Sequence, residues 1–481
     1  MAPVPTRLPT LHEDCLIVRR RPTALGRALG EGVGYHERRT LNCPRVIHIG
    51  HDAIGSISNS GLTLGSMFSS WPQSEMLQLL LREPTSTTHQ FMVAPESVAP
   101  LEKAVHATVR AYRRHRPRQS PRPEPDGLNN SVRQHRTLTA RQRALHALIA
   151  LNDLGPVRTP AQVADRLRAF RPHVVHSLLG GVRAMRVSLA VSRSLDLPIV
   201  PHFMDDWVSN LYTHGQLAGA ARRETERVVA QVLERSPVLL TIGNDMAEEF
   251  ATRFERPCFV AGNSVDVHLN APEGRDKPRS HAAVIRYVGG LHLGRDLVLA
   301  EVGEVLSRAE PGSPAWRIEI FAPDADRGRA LRLADTYPGI HYEGNLTPDR
   351  VPAALCSAGA LLFLESAADT LFEFTRLSVS TKVPQYLASG RPILVLGPSR
   401  QSSVKALLRS SNSVYGGQSP APGELLESLT QLSRKVTSSD LEDVARADWF
   451  VREFGQAATQ ERLRTGLVTA TQTWNLARRS R

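Results

Sequence analysis

The chain alternates between short apolar runs and longer stretches in which apolar residues recur every three or four positions. Short continuous apolar runs are typical of strands buried on both faces, and their alternation with amphipathic helices predicts parallel sheets. On this basis we expect strands at 45–49, 174–178, 197–202, 238–242, 258–260, 284–288, 318–321, 340–342, 360–364 and 393–396.

Helical periodicity lies between these runs. It predicts helices near 74–82, 99–114, 138–153, 160–170, 182–195, 217–235, 297–308, 327–336, 348–357, 381–389 and 402–409, and an amphipathic helical stretch at 441–476. The strand 45–49, the Gly/Ser loop 50–66 and the helix 74–82 would form the opening of a doubly wound domain.

The alternation falls into two blocks, so the expected fold class is α/β. We predict two facing Rossmann-like, doubly wound parallel-sheet domains with a ligand cleft between them. The expected parts are listed in chain order: an arm at 1–40, a first domain at 41–265 with a basic surface insertion at 113–136, a linker at 266–282, a second domain at 283–440, and a final helix at 441–481 that could cross back onto the first domain.

The composition is that of a globular protein, with 41% hydrophobic and 22% charged residues. No apolar run reaches 18 residues, so an ordinary transmembrane helix is not expected. The N-terminus lacks an apolar core after a basic start, so a secretory signal is not expected either. The four cysteines are far apart and show no metal-binding spacing, which fits a reducing cytoplasm.

The net charge of +12 is concentrated in one stretch, because residues 101–150 hold 11 Lys/Arg against 3 Asp/Glu. Such a stretch suits an anionic partner, and we expect peripheral contact with the inner membrane face through residues 113–143. A solvated insertion would carry the same charge. Only five of the 59 basic residues are lysines, so the arginine richness is general and nucleic acid is not an expected partner.

The segment 375–392, TRLSVSTKVPQYLASGRP, is the strongest candidate site. Ser380 or Thr381 can cap a helix, Lys382 lies in its first turn and Gly390 ends it. A helix start with unpaired N–H groups and a lysine favours an anion. The alternative interpretation is a surface helix with an exposed lysine.

This segment resembles the nucleotide-binding segment of GT-B glycosyltransferases, particularly the bacterial family 4-like (group 1) enzymes. Their pattern is Ser-x-Lys-x-x-Glu-Tyr-Leu-Ala-x-Gly-x-Pro, which Ser380, Lys382 and Tyr386 match here. Gln385 stands where the family has the glutamate that holds the donor ribose. Because a hydrogen bond to a charged group is the stronger kind, this change should weaken nucleotide binding roughly tenfold.

Other segments resemble the family in the same chain order. Gly290 and Arg295 follow the strand that opens the donor domain, and the resemblance places Arg295 at the diphosphate. Asn345 and Leu346 resemble the loop that meets the nucleobase. Segments 245–248 and 263–266 are similar to a helix start and an interdomain motif of the family, and Gly61 and Gly65 to its acceptor or phosphate loop.

Catalytic candidates follow the strand at 197–202. We expect His202, Asp205 and Asp206 to face the cleft, where the resemblance places groups near the reacting sugar. His202 could equally be structural, and an aspartate pair can bind a metal, although GT-B enzymes generally need none. His176 and Ser177 are weaker candidates at a preceding strand end. Glu365 or Glu373 could supply a further carboxylate.

The resemblance implies a glycosyltransferase that takes a nucleotide-sugar as substrate, needs no other cofactor and retains configuration. The acceptor would be a glycan, a lipid-linked sugar or a small molecule. One alternative is a non-catalytic nucleotide-sugar-binding protein or partner subunit with a degenerate site. Another is a GT-B epimerase or phosphorylase.

Overall fold

The computed structural model describes residues 43–56, 58–81, 91–93, 147, 157–211, 218–266, 283–308, 316–419, 421–438 and 440–480. Several predictions lie outside these ranges: the arm 1–40, the helix near 99–114, the insertion 113–136, the membrane-contact segment 113–143, the helix near 138–153 apart from residue 147, and the linker 266–282 apart from Asp266.

The first sheet has seven parallel strands in the spatial order β3-β2-β1-β4-β5-β6-β7. Their bounds are β1 Val46–Gly50, β2 Met76–Leu80, β3 Phe91–Val93, β4 Val174–Ser177, β5 Ile199–Phe203, β6 Leu239–Thr241 and β7 Cys258–Val260. Every residue of β1, β2, β4 and β5 is buried, as continuous apolar runs in a parallel sheet require.

The second sheet has six parallel strands in the order β10-β9-β8-β11-β12-β13. Their bounds are β8 Val284–Val288, β9 Arg317–Phe321, β10 Ile340–Gly344, β11 Ala360–Leu364, β12 Ile393–Leu396 and β13 Ser413–Gly417. In both sheets the strand order reverses beside the first strand, which is the topological switch point of a doubly wound domain. The predicted α/β fold class with two such sheets is confirmed.

Helices connect the strands. In the described ranges they are α1 Asn59–Phe68, α2 Ala161–Phe170, α3 Val182–Leu195, α4 Trp207–Asn210, α5 Ala218–Glu234, α6 Asn244–Phe254, α7 Arg295–Ser307, α8 Arg327–Thr336, α9 Val351–Ser357, α10 Asp369–Thr375, α11 Lys382–Ala388, α12 Ser402–Leu407, α13 Pro422–Thr437, α14 Asp448–Phe454 and α15 Gln456–Arg479. None of them is long and apolar enough to span a membrane.

The helix predicted at 74–82 is wrong, because strand β2 occupies that position after a 3-10 turn at Gln73–Glu75. The run MLQLL is buried throughout and pairs in parallel with β1, from Met76 beside Val46 to Leu80 beside Gly50. A buried strand and a buried helix give the same short apolar run, so the pattern could not separate them. The helix after β1 is α1, which begins within the predicted Gly/Ser loop 50–66 and extends to Phe68, and Ser58 caps it through Gly61 N–H.

The last helix, α15, returns from the second sheet to the first. Leu463, Leu467 and Ala470 are fully buried and join a core cluster with Leu240 and Phe259 of β6 and β7. Before it, Val265 and Gly455 form an isolated parallel bridge. The chain therefore passes from the first sheet to the second and returns to complete the core of the first.

Candidate functional site

Residues 376–381, which we call the strap, lead from α10 into α11 and contact the first domain along their length. Arg376 donates two hydrogen bonds to the Glu249 carboxylate of α6. Ser378 donates to Asp205 Oδ1, and Asn263 Nδ2 donates to the Val379 carbonyl at 2.6 Å. The strap thus brings the carboxyl edges of the two sheets together.

Lys382 follows the strap and is buried, although an exposed side chain was one interpretation of the sequence. Its Nζ donates to Tyr287 Oη at 2.7 Å and lies 4.2 Å from the centre of the Tyr287 ring. Tyr287 Oη in turn donates to the Gly290 carbonyl at 2.6 Å. Burial lowers the pKa of the Lys382 amine well below its ordinary value, and the nearby charge of Arg295 lowers it further.

Arg295, in the first turn of α7, is also buried. Its Nη2 donates to Glu365 Oε1 at 2.7 Å, and its Nε donates to the Leu364 carbonyl at 3.3 Å. Burial alone would lower the pKa of Arg295, but the Glu365 carboxylate outweighs it and the pKa lies above its ordinary value. The guanidinium therefore stays charged, with two of its nitrogens directed at the end of β11.

Asp326 completes this set, and the His292 imidazole lies beside it. Asp326 accepts from the Leu291 N–H at 2.8 Å and pairs with Arg329 at 3.0 Å. Burial, followed by Arg295 and Lys382, lowers the pKa of His292 to about 4, so this imidazole is neutral at pH 7. We call Tyr287, Arg295, Asp326, Glu365 and Lys382 the donor cluster.

Two glycines make room for the donor cluster. Gly289 has φ +134°, and a Cβ there would lie 2.3 Å from Lys382 Cε. At Gly290 a Cβ would lie 2.6 Å from His292 Nδ1. Neither position accepts a side chain without moving a member of the site.

The side chains of the remaining donor candidates are more exposed to solvent than those of the donor cluster. Ser380 and Thr381 are half-buried, and the Ser380 N–H donates to Ser403 Oγ at 2.9 Å. Gln385 and Asn345 are exposed, and Leu346 is half-buried beside Gly344, whose φ is +99°. Their predicted contacts with ribose and nucleobase stay predictions.

His202 is placed inside the sheet rather than at the cleft, contrary to the sequence interpretation. Its Nε2 bonds the Ala261 carbonyl at 2.7 Å, and its Nδ1 lies 3.1 Å from His176 Nε2. His176 Nδ1 lies 2.9 Å from His48 Nδ1. All three rings are fully buried, and we call them the imidazole chain.

The imidazole chain has one consistent set of protons. A carbonyl only accepts, so His202 Nε2 carries a proton and its Nδ1 accepts from His176; His176 Nδ1 then accepts from His48. Burial is the main cause that lowers the pKa of His202 to about 4 and that of His176 well below its ordinary value. His176 and His202 are therefore neutral, and both nitrogens of each ring are hydrogen-bonded.

The two aspartates after β5 differ in what they contact. Asp206 is 1% exposed, caps α4 through Ser209, and pairs with Arg253 at 3.2 Å. Asp205 is half-buried at the strap. Burial raises the pKa of Asp205, Ser378 opposes this, and Glu365 of the second domain adds to it. Both aspartates thus meet the strap: Asp205 accepts from Ser378, and Asp206 Oδ2 lies 3.7 Å from Arg376 Nη2.

The predicted acceptor glycines lie on α1. A Cβ at Gly61 would overlap Ser56 Oγ at 2.0 Å, so this glycine permits a close turn. Gly65 lines a surface cavity of about 410 Å³ together with Gly55, Leu62 and Trp71. Neighbouring Thr63 donates to Asn263 Oδ1 at 2.6 Å, which ties α1 to the residue that holds the strap.

A second cavity, of about 480 Å³, lies between the domains beside the strap. Its floor includes Phe372 and Leu377, and its walls carry Asp245, Glu248, Glu249, Glu373, Arg376, Arg400 and Lys405. Asp245 accepts from Ser402 at 2.8 Å and from Lys405 at 3.0 Å, which bridges the domains again. In the described ranges, no group of three or more His, Cys, Asp or Glu is arranged to hold a metal ion.

Sequence reasoning singled out Glu365 as a flanking carboxylate but not as the partner of Arg295, and it missed Tyr287 and Asp326 as members of the site. Glu365 directly follows an apolar strand, a position where charge is unusual unless it is used. Tyr287 gave no signal, because an aromatic residue within a strand is normally core.

No protein-family model and no curated protein matches the chain. Solved structures do resemble it. HepE from Anabaena, in complex with UDP and glucose, has a TM-score of 0.51 at 11% identity, over 88% of this chain and 100% of that chain. The N-terminal domain of trehalose-6-phosphate phosphatase from Candida albicans has a TM-score of 0.56 at 7% identity, over 89% of this chain and 97% of that chain. At these identities the likeness establishes the fold, and the chain has the two-domain GT-B architecture.

Proposed function

We propose that this chain is a glycosyltransferase that moves a sugar from a nucleotide-sugar to a glycan, lipid-linked or small-molecule acceptor. The supporting observation is that two buried basic side chains, Lys382 and Arg295, lie at the carboxyl edge of the second sheet. The strap beside them donates a hydrogen bond to Asp205 of the first domain. HepE, of similar fold, is in complex with UDP and glucose.

Lys382 and Arg295 would hold the diphosphate of the donor. Sugar transfer places new negative charge on that diphosphate, and fixed cations in a water-poor site stabilise it. Arg295 Nε and Nη2 are anchored at the end of β11, and Nη1 makes no hydrogen bond to any residue in the described ranges. Because the guanidinium group is planar and two of its nitrogens are fixed, the direction of Nη1 is fixed as well.

The other predicted residues have supporting roles in this proposal. Asn345 and Leu346 would meet the nucleobase, Gln385 the ribose, and Ser380 and Thr381 the phosphates. On the other side of the cleft, Gly61 and Gly65 would border the acceptor, and Asp205 would bind the transferred sugar or the acceptor. Retention of configuration and independence of a metal ion are part of the proposal through the family 4-like resemblance alone.

The decisive experiment is a thermal-shift titration with UDP, GDP, ADP and dTDP. A ligand that binds only the native state raises its melting temperature with increasing concentration. We expect a shift with one nucleotide, lost in Lys382→Ala and kept in Lys435→Arg, a control lysine on α13. No shift with any of the four nucleotides would contradict the donor site.

A non-catalytic nucleotide-sugar-binding protein is the second candidate, because His202 is buried within the first sheet and the Asp206 carboxylate is already paired with Arg253 and Arg376. Release of the nucleotide from its sugar conjugate by wild-type protein, at a rate above that of Lys382→Ala, would exclude it. An epimerase would form the free sugar epimer without an acceptor, and a phosphorylase would require phosphate.

We also propose a cytoplasmic protein that contacts the inner membrane face through residues 113–143. The basic charge of that stretch supports this. Co-sedimentation with phosphatidylserine vesicles should fall when residues 113–136 are deleted. Equal sedimentation of both proteins would contradict it.

A further inference from the structure

The Lys382 amine lacks the acceptors that a charged ammonium group requires. An ammonium has three N–H donors, whereas the described neighbours of Nζ supply one oxygen, Tyr287 Oη, and the face of the same ring. The Tyr287 proton is already directed at the Gly290 carbonyl. Two of the three donors would therefore face no acceptor among the described residues, which is costly for a buried charge.

The carboxylates near Lys382 are committed to other cations. Glu365 pairs with Arg295 at 2.7 Å, and Asp326 pairs with Arg329 at 3.0 Å while it accepts from a backbone N–H. The charged and titratable groups that act on Lys382 are Tyr287 of β8, His292 before α7, Arg295 of α7, Asp326 before α8 and Glu365 after β11. On the same helix as Lys382, Tyr386 Oη accepts from the Val288 N–H.

Among the charged neighbours, Arg295 acts most strongly on Lys382, and it has the same sign as an ammonium. Glu365 and Asp326 act in the opposite direction, but Glu365 bonds Nη2 of Arg295 rather than Lys382. Burial and Arg295 together favour a neutral amine among these residues, in agreement with the lowered pKa of Lys382. A diphosphate would bring two or more negative charges and several acceptor oxygens to this place.

We propose that the ligand itself charges the donor site: the Lys382 amine takes up one proton from solvent when the diphosphate of a nucleotide or nucleotide-sugar enters. The Nζ lone pair forms the new N–H bond, and the buffer supplies the proton. This inference rests on the proposed function, because it assigns the diphosphate to Lys382. If Lys382 takes up a proton on binding, the affinity for the donor should fall as the pH rises through the range in which the Lys382 amine of the complex releases that proton.

The test is isothermal titration of the full chain with UDP at pH 8.5, in two buffers with different enthalpies of ionisation. At this pH a terminal phosphate, with a second pKa of about 6, is already fully ionised and exchanges almost no proton. The dependence of the heat on buffer then counts protons taken up by the protein. We expect close to one proton per UDP for wild type and for the control Lys435→Arg.

Two variants distinguish proton uptake from the strength of UDP binding. Lys382→Met fits a buried slot and cannot be protonated, so it should bind UDP at least tenfold more weakly with no proton uptake. Lys382→Arg is always charged, so any binding that remains should also lack proton uptake. The neutral Met variant keeps the test valid if the larger arginine does not fold.

The outcomes distinguish a failure of this inference from a failure of the proposed function. UDP binding by wild type without proton uptake, or uptake that persists in Lys382→Met, overturns the inference and leaves the donor site in place. Absence of binding by UDP leads to the same titration with whichever of GDP, ADP or dTDP gave a thermal shift. Absence of binding by all four contradicts the proposed function, and the inference fails with it.

Discussion

The imidazole chain of the first sheet and the donor cluster of the second are both buried polar groups in equivalent sheets, yet they differ in completeness. In the imidazole chain both ring nitrogens of His176 and of His202 are hydrogen-bonded, and these two rings are neutral. In the donor cluster, Lys382 has one acceptor for its amine, and Arg295 has one nitrogen without a partner among the described residues.

The difference separates a structural site from a binding site. A satisfied polar network rigidifies the fold around it, whereas buried donors without enough acceptors cost stability until a ligand supplies those acceptors. We therefore expect substitutions in the imidazole chain to reduce stability, and substitutions in the donor cluster to reduce binding. Four predictions test this, from the largest expected effect to the smallest.

The largest effect is expected for His176→Ala. This change removes a fully buried ring and leaves His48 and His202 without the partner between them. A large cavity and two stranded polar groups together cost about 3–5 kcal/mol. Urea unfolding followed by tryptophan fluorescence measures the loss, with exposed His341→Ala as the control. Equal midpoints for the two variants would show that the chain is not structural.

Acid should lower the folding stability of the protein through the imidazole chain. An unfolded His202 binds a proton near pH 6.5, whereas the folded one stays neutral down to about 4. Between these values the unfolded state binds more protons, so stability falls as the pH falls from 6.5 to 4 and this contribution is constant below 4. The full loss is about 3 kcal/mol. Urea midpoints measured across this range should vary less in His202→Gln, and parallel curves would refute the assignment.

A smaller effect on stability is expected at the strap, which contacts the first domain. Ser378→Ala removes the hydrogen bond to Asp205 and should cost about 1 kcal/mol, as one partly buried hydrogen bond does. Because the strap keeps its other contacts, hydrogen exchange should increase at 376–381 and not in β1. Thr437→Ala on α13 removes a hydroxyl that bonds only its own helix and serves as the control. Unchanged exchange in the strap would mean that Asp205 does not hold it.

The smallest stability effect is expected at Lys382. Lys382→Met removes a buried amine with one acceptor, so the free energy of unfolding should change by less than about 1 kcal/mol and in the stabilising direction. Urea unfolding of this variant beside His176→Ala compares the two regions directly. A loss of several kcal/mol at Lys382 would abolish the distinction between them.

Much of the fold could be predicted because buried parallel strands are continuous apolar runs. The strands 258–260, 284–288, 360–364 and 393–396 have the predicted bounds. Strand β2 was taken for a helix, and β13 was missed because Ser413–Gly417 contains two glycines and a serine. Helix α10 was missed as well, since seven residues with four aromatic or acidic side chains show no clear helical period.

The site was less predictable because its contacts join distant parts of the chain. Segment 375–392 could be found from a local pattern, and Lys382 lies where that pattern put it, at the first turn of α11. The bond between His48 and His176 spans 128 residues, and that between Lys382 and Tyr287 spans 95. Nothing in a local pattern records such pairings, so the burial of His202 and the partner of Arg295 required the structure.

The return of α15 to the first sheet affects how the protein is made. Synthesis proceeds from the N-terminus, so β6 and β7 leave the ribosome more than 200 residues before Leu463 and Leu467 that cover them. The first domain therefore cannot complete its core while the second is being translated. During that interval Leu240 and Phe259 remain open to aggregation or to a chaperone, and the two domains reach their final state together, after translation of α15.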